Sequence, residues 1–329
     1  MSGPFVHRID PVFAEIAGLY LWFYGLSYSL GFLSIFLWFK RIRRRLGLTI
    51  DAVYSLTIYL AVGVLVGGRL VEISFYEWPY YRDHLWQILA VWLGGMSTHG
   101  VLLGVVAATW LFCRIQGKSL LLIGDQLVIP GSLLMGMGRI GNFIDGQIVG
   151  SVTNVWWAVQ FPDAPGFRHP VVLYDGAKNF LILGLLLWLR RSRPATGILT
   201  AHFVLWYGFL RIFVDLFREY PTSLFGIATG QAFNIFMSAL GLFLLFWFSR
   251  RQQAAEADRA WPIPPSESTG KQQSLWLKRI IFVSLLLLPL TIPSDWTQDI
   301  PARYGKRHPG MHYSFWYPPV EGNIPASQK

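Results

Sequence analysis

Charge and cysteine are the scarce things in this sequence. Only 14% of its 329 residues are Asp, Glu, Lys or Arg, against roughly 25% in an average soluble domain, which argues against a soluble class. One cysteine, Cys113, excludes an intramolecular disulfide and any multi-thiolate metal site. It closes an apolar run and reads as an inert buried thiol. The N-terminal MSGPFVHRIDP lacks a short apolar core followed by a small-residue cleavage site, so the first helix, and not a removable leader, is expected to direct insertion. There is no internal repeat, which weakens a transporter built from inverted halves.

Apolar and aromatic residues are abundant: 53% of the chain is hydrophobic, with 24 Phe and 15 Trp. The expected fold class is all-α, a polytopic integral membrane helical bundle. Runs able to cross a hydrocarbon core of roughly 30 Å, which takes about 20 residues, lie near 14–39, 50–76, 85–113, 119–143, 172–190, 198–217 and 228–249. These are seven core transmembrane helices, and an eighth is expected at 275–293. The organisation that follows is a membrane domain over 1–250, a polar, Pro/Ser-rich cytoplasmic linker over 251–274, the eighth helix, and an outward-facing tail over 294–329, an appendage expected to lie along the membrane surface.

The formal net charge of +10 does not call for nucleic acid, because Lys and Arg sit in short clusters beside the apolar runs. Lys40, Arg41, Arg43, Arg44 and Arg45, then Arg114 and Lys118, then Arg190, Arg191 and Arg193, then Arg250 and Arg251 all fall in odd-numbered connections. Positive charge is retained on the cytoplasmic side, so the N-terminus is expected outside.

An ionisable group within a span costs roughly 2.5–3.5 kcal/mol on insertion scales, so each one raises a functional question. His99 lies in M-S-T-H-G-V-L-L-G within the third run; a neutral imidazole there acts as a base, or is simply bonded between helices. G-R-I-G-N-F-I-D-G-Q-I-V-G, Gly138 to Gly150, carries Arg139 and Asn142 on one helical face among glycines that allow close approach. The alternative is glycine packing with a snorkelling arginine. In the sixth run Tyr207, Arg211 and Asp215 follow i, i+4, i+8 spacing and share a face, as an anion site or as a structural ion pair. Tyr24, Arg69 with Glu72, and R-H-P-V-V-L-Y-D from Arg168 to Asp175 bring polar groups to outward ends, where anchoring at the interface is the simpler reading. Asp125 in the fourth run has no assignable role. Several arginines at similar depth suit a phosphate, and a phospholipid head group lies at that level.

These motifs, in order over roughly residues 15–250, resemble the prolipoprotein diacylglyceryl transferases of the bacterial inner membrane: Y-G-L, G-G-R, G-G-M-S-T-H-G-V-L-L-G, the Gly138–Gly150 segment, R-H-P-V-V-L-Y-D and Y-G-F-L-R-I-F-V-D-L-F-R. The resemblance implies transfer of the diacylglyceryl group of phosphatidylglycerol to a lipobox cysteine thiol of a prolipoprotein, releasing glycerol phosphate, with no metal or organic cofactor. It implies His99 as base, Arg139 and Arg211 at the phosphate, and Asn142, Tyr24 and Tyr207 as orienting groups. Gly141, Asp145, Gln147, Asp175, Asp215 and Arg69, on or beside the same motifs, are expected among the substrate-binding residues. The chain departs from the family pattern at Asp145-Gly146-Gln147, where Asn-Gly-Glu is usual, at Asp175 and Asp215, where Glu is usual, and at Val101, where a second glycine is usual. Gln147 loses a charge, which leaves open an inactive paralogue that binds phospholipid or assists assembly. A small-molecule transporter would need a polar path through both leaflets, whereas the deep polar residues cluster outward.

Overall fold

The structure is a computed structural model, and it describes residues 4–218, 223–224, 227–255, 272–294 and 299–319. Eight helices of sixteen residues or more dominate these residues: α1 (Phe23–Ile42), α2 (Ile50–Val71), α4 (Thr98–Gln116), α5 (Leu120–Ile144), α6 (Val171–Leu189), α7 (Ile198–Asp215), α8 (Thr229–Ala255) and α9 (Gln272–Leu287). Two short helices, α3 (Trp78–Tyr81) and α10 (Ile300–Tyr304), lie outside the bundle proper. Five of the long helices are long and apolar enough to cross a membrane. Large apolar side chains such as Leu181, 68% exposed, and Phe236, 61% exposed, cover their outer faces, which suits lipid and not water. Most of the expected linker lies outside the described residues.

Local chemistry sets the helix ends. Thr49 caps α2 by accepting from Ala52 N at 3.1 Å, and Ser119 caps α5 by accepting from Leu122 N at 3.4 Å. Gly117 ends α4 in the left-handed region at φ 59°. One apolar core joins α1, α2, α4 and α9 through Phe32, Phe36, Phe39, Leu56, Leu60, Phe112 and Phe282; a second joins α5, α6 and α7 through Ile129, Ile182, Leu186 and Leu199. The basic end of the bundle is common to both halves, since the Arg190 guanidinium lies 4.6 Å from the Trp38 ring centroid.

Two runs expected to be helical from their first residue are not. Residues 14–22, the start of the expected first span, belong to an antiparallel hairpin of β2 (Val12–Ile16) and β3 (Leu19–Trp22), turned by Ala17 and Gly18 at φ 52° and 79°. Residues 85–97, at the start of the expected third span, are short 3-10 turns and extended chain. The reason is Arg69. Its guanidinium donates to the carbonyls of Gln87 (2.7 Å), Ile88 (3.0 Å), Ala90 (3.3 Å), Gly95 (3.3 Å) and Gly94, which a helix would have used internally.

Opposite the basic end, a polar cap covers the bundle. Three two-residue strands, β1 (Phe5–Val6), β4 (Val159–Gln160) and β5 (Phe167–Arg168), form a small sheet in the order β1-β4-β5. Residues 299–319 of the expected tail are built into this cap: Ile300, Tyr304 and Tyr317 pack with Tyr20, Trp22, Ala90 and Leu93, and Tyr20 N donates to Tyr317 Oη at 3.1 Å.

Candidate functional site

The charged groups of three helices meet where the bundle joins the cap. Arg139, on the last turns of α5, places Nε 2.6 Å from Asp175 Oδ2 on α6. Lys178, one turn further along α6, approaches the other carboxylate oxygen at 2.9 Å. Arg211 of α7 pairs with the same Asp175 and, at 3.0 Å, with Asp215 one turn below it. Asp175 and Asp215 are almost fully buried, with side chains 2% and 1% exposed. Asp215 in turn accepts from Asn234 Nδ2 of α8 at 2.7 Å. The i, i+4 spacing read in the sixth run thus forms an ion pair. Three cations against two carboxylates leave one net positive charge in a largely buried region, which favours an anion.

The remaining polar groups are arranged around this cluster. Arg139 Nη1 donates to Asn142 Oδ1 at 3.2 Å, as their shared face predicts. Tyr207 lies with its ring centroid 3.6 Å from Lys178 Nζ. Tyr24 donates to Tyr28 on α1 at 3.2 Å, beside α5. That approach depends on Gly141, where a Cβ would sit 2.8 Å from Ser27 Oγ and 2.9 Å from Tyr24 Cα. A narrow cleft opens beside the pair, lined by Arg139, Ile148, Val171, Val172, Asp175, Arg211 and Arg218.

Arg69 and Arg168 stand elsewhere. Arg69 is spent on the loop carbonyls described above, away from the cleft. His99 lies on the first turn of α4, but its side chain is outside the described residues. Arg168, buried, donates to Pro165 O at 3.1 Å and Gly150 O at 3.0 Å and so ties loops of the cap together.

The model of the family described as prolipoprotein diacylglyceryl transferase matches residues 11–247. Among similar proteins is the phosphatidylglycerol–prolipoprotein diacylglyceryl transferase of Geobacter sulfurreducens, 39% identical over 255 residues, which are 74% of this chain and 97% of the relative. The proteins of the same name from Nitrosomonas europaea, 40% identical over 253 residues (74% and 91%), and Pseudoalteromonas atlantica, 37% identical over 276 residues (80% and 96%), are similarly close. The chain belongs to the prolipoprotein diacylglyceryl transferase family.

Within that family frame the motif departures take on a definite geometry. Asp145, the first residue after α5, does not turn toward the arginines. Its Oδ2 accepts from Ser294 N at 2.9 Å and Tyr304 Oη at 3.2 Å, and its carbonyl accepts from Arg307. Burial is the main influence on its carboxyl and raises the pKa from 3.8 to about 6, against the opposing pull of these bonds and of Arg307. Gln147 Oε1 accepts from Arg303 Nη2 at 3.3 Å. Both departures from the usual Asn-Gly-Glu therefore face the chain that follows α9. The carboxylate that holds Arg139 is Asp175, so no glutamate at position 147 is required to pair it.

Sequence reasoning missed Lys178, Asn234 and Ser294. Lys178 carried a signal, an ammonium inside an apolar run three residues after Asp175. Asn234 and Ser294 carried none, because neither residue is unusual where it stands and their partners are distant in sequence. Asp125, to which the sequence assigned no role, caps α7: it accepts from Gly197 N (2.6 Å), Thr200 N (2.8 Å) and Thr200 Oγ1 (2.7 Å).

Proposed function

We propose that the chain is a phosphatidylglycerol–prolipoprotein diacylglyceryl transferase of the bacterial cytoplasmic membrane, moving the diacylglyceryl group to the lipobox cysteine of a prolipoprotein. The observation that carries this reading, given the family, is the convergence of Arg139 and Arg211 on Asp175 beside a small cleft. The guanidiniums of Arg139 and Arg211 on the lining of this cleft suit a phosphate-bearing head group. The acyl chains then stay among the lipid, against exposed apolar helix faces.

In the reaction the cysteine sulfur attacks the glycerol carbon bound to the phosphate oxygen. The C–S bond forms as the C–O bond breaks, and glycerol phosphate leaves with the electron pair. The thiol proton goes to a base, which the family resemblance assigns to His99. Charge grows on the leaving phosphate in the transition state, and Arg139 and Arg211 stabilise it there. In the resting protein Asp175 holds both guanidiniums in place and prevents their repulsion, while Asn142, Tyr24 and Tyr207 orient the head group.

The topology belonging to this reading has seven core spans and an eighth, α9, with the N-terminus outside. The basic connections at one end support it. So does the packing of Tyr20 on Tyr317 at the other end, since the two ends of the chain meet on one side only after an even number of crossings. The test is restoration of lipoprotein modification in cells depleted of their own transferase. Restored modification is expected; failure despite normal insertion would overturn the proposal.

A further inference from the structure

The family match ends at residue 247, yet the chain beyond it is anchored in the bundle. Lys278 of α9 donates to Asp51 Oδ2 at 2.7 Å and to Ser55 Oγ at 2.8 Å on α2, and the Phe282 ring lies 4.6 Å from that of Phe36. The turn after α9 presses against α1 at Gly25, where a Cβ would fall 1.9 Å from Pro289 O, so only glycine fits. Gly25 adjoins Tyr24. Three residues after that turn, Ser294 reaches the arginine segment from outside. Its Oγ accepts from Asn142 Nδ2 at 3.2 Å, and its backbone N–H donates to Asp145 at 2.9 Å.

Asn142 is thereby held at both ends of its amide, by Arg139 on the oxygen and Ser294 on the nitrogen. An amide so fixed cannot flip, and its orientation decides whether it offers a donor or an acceptor beside the arginine. We infer that the C-terminal extension is a working part of the site and that Ser294 is a positioning residue for Asn142, and through it for the phosphate head group. Tyr304 and Arg307 brace the same segment through Asp145, which keeps Ser294 in register. In this chain, cap residues from outside the family-matched region contact the segment where the motif departs from its usual form.

This inference rests on the transferase reading, and the experiment separates the two. Full-length wild type, Ser294→Ala, Ser294→Thr, Asn142→Ala and the Ser294→Ala/Asn142→Ala double variant are purified in detergent. They are assayed with mixed phosphatidylglycerol and phosphatidylcholine vesicles and a peptide bearing a lipobox cysteine, and thermal unfolding is followed in parallel. Ser294→Ala is expected to raise the KM for phosphatidylglycerol about 5- to 10-fold with kcat within about twofold, and Ser294→Thr, which keeps the hydroxyl, to restore it. In the Asn142→Ala background the Ser294 effect is expected to vanish, the mark of a coupled pair. An unchanged KM overturns the inference. So does a fall in kcat that only tracks a lower unfolding temperature, or an effect equally large without Asn142. An inactive wild type defeats the transferase reading instead; the inference is then judged on vesicle binding alone, and it stands only if Ser294→Ala weakens binding and Ser294→Thr does not.

Discussion

Arg139 on α5 and Arg211 on α7 share one buried carboxylate, that of Asp175 on α6. The three helices are thereby locked at the point where the cleft opens. Two guanidiniums held by one carboxylate keep donors free for a further anion, whereas separate pairs would consume more of them.

That relationship predicts different failures for its members. Arg139→Ala or Arg211→Ala should lower transfer by at least about 100-fold, the scale of removing one preorganised donor from a developing anion. Asp175→Asn should act first on stability, since it leaves three buried cations without their central partner, a loss of about 3–5 kcal/mol. Thermal unfolding in detergent and a single-turnover transfer assay distinguish the two. A stable, active Asp175→Asn variant would contradict the assigned arrangement.

Lys178 is expected to contribute to the chemistry more than to the fold. With Lys178→Met, Asp175 keeps both arginines, and the methionine fills similar space against Tyr207. Transfer should fall about tenfold while the unfolding temperature changes little. Unaltered kinetics would reduce Lys178 to a buried counter-charge.

Asp125 should behave in the opposite way. Removing its three accepted bonds with Asp125→Ala leaves the start of α7 without its cap and is expected to cost about 2–3 kcal/mol, with transfer retained at low temperature. Loss of transfer without loss of stability would give Asp125 a functional role that its capping geometry does not.

The Asp145 carboxyl gives the fold a pH dependence. Its pKa in the folded chain is about 6, above its ordinary 3.8, so folding favours the protonated form. The stability it contributes is complete below about pH 4 and is lost as pH rises through 6, by on the order of 3 kcal/mol. Asp145→Asn preserves an acceptor for Ser294 and Tyr304 and should flatten this slope in unfolding measured from about pH 4.5 to 7.5. An equal slope in the variant would assign the dependence to another group.

What the sequence made legible followed from patterns that survive without a structure. Apolar runs located the helices, because a chain in lipid must satisfy its backbone internally. Helical spacing found Arg139 with Asn142 and Arg211 with Asp215. The misplaced starts at residues 14 and 85 share one cause: apolar composition marks burial or lipid but not hydrogen-bond partners, and Arg69 drew the carbonyls of residues 87–95 out of a helix. The tail was hardest to read. Its ring contacts with Tyr20 and Trp22 and its hold on Asp145 join residues far apart in the chain, and neither periodicity nor composition encodes such pairs.

The transferase assignment stands or falls on transfer by the purified chain. Incubated with phosphatidylglycerol vesicles and a lipobox peptide, the full-length protein is expected to add one diacylglyceryl group to the cysteine sulfur and release glycerol phosphate in equal amount, both read by mass spectrometry. A folded chain that binds the vesicles yet leaves the peptide unmodified would contradict it.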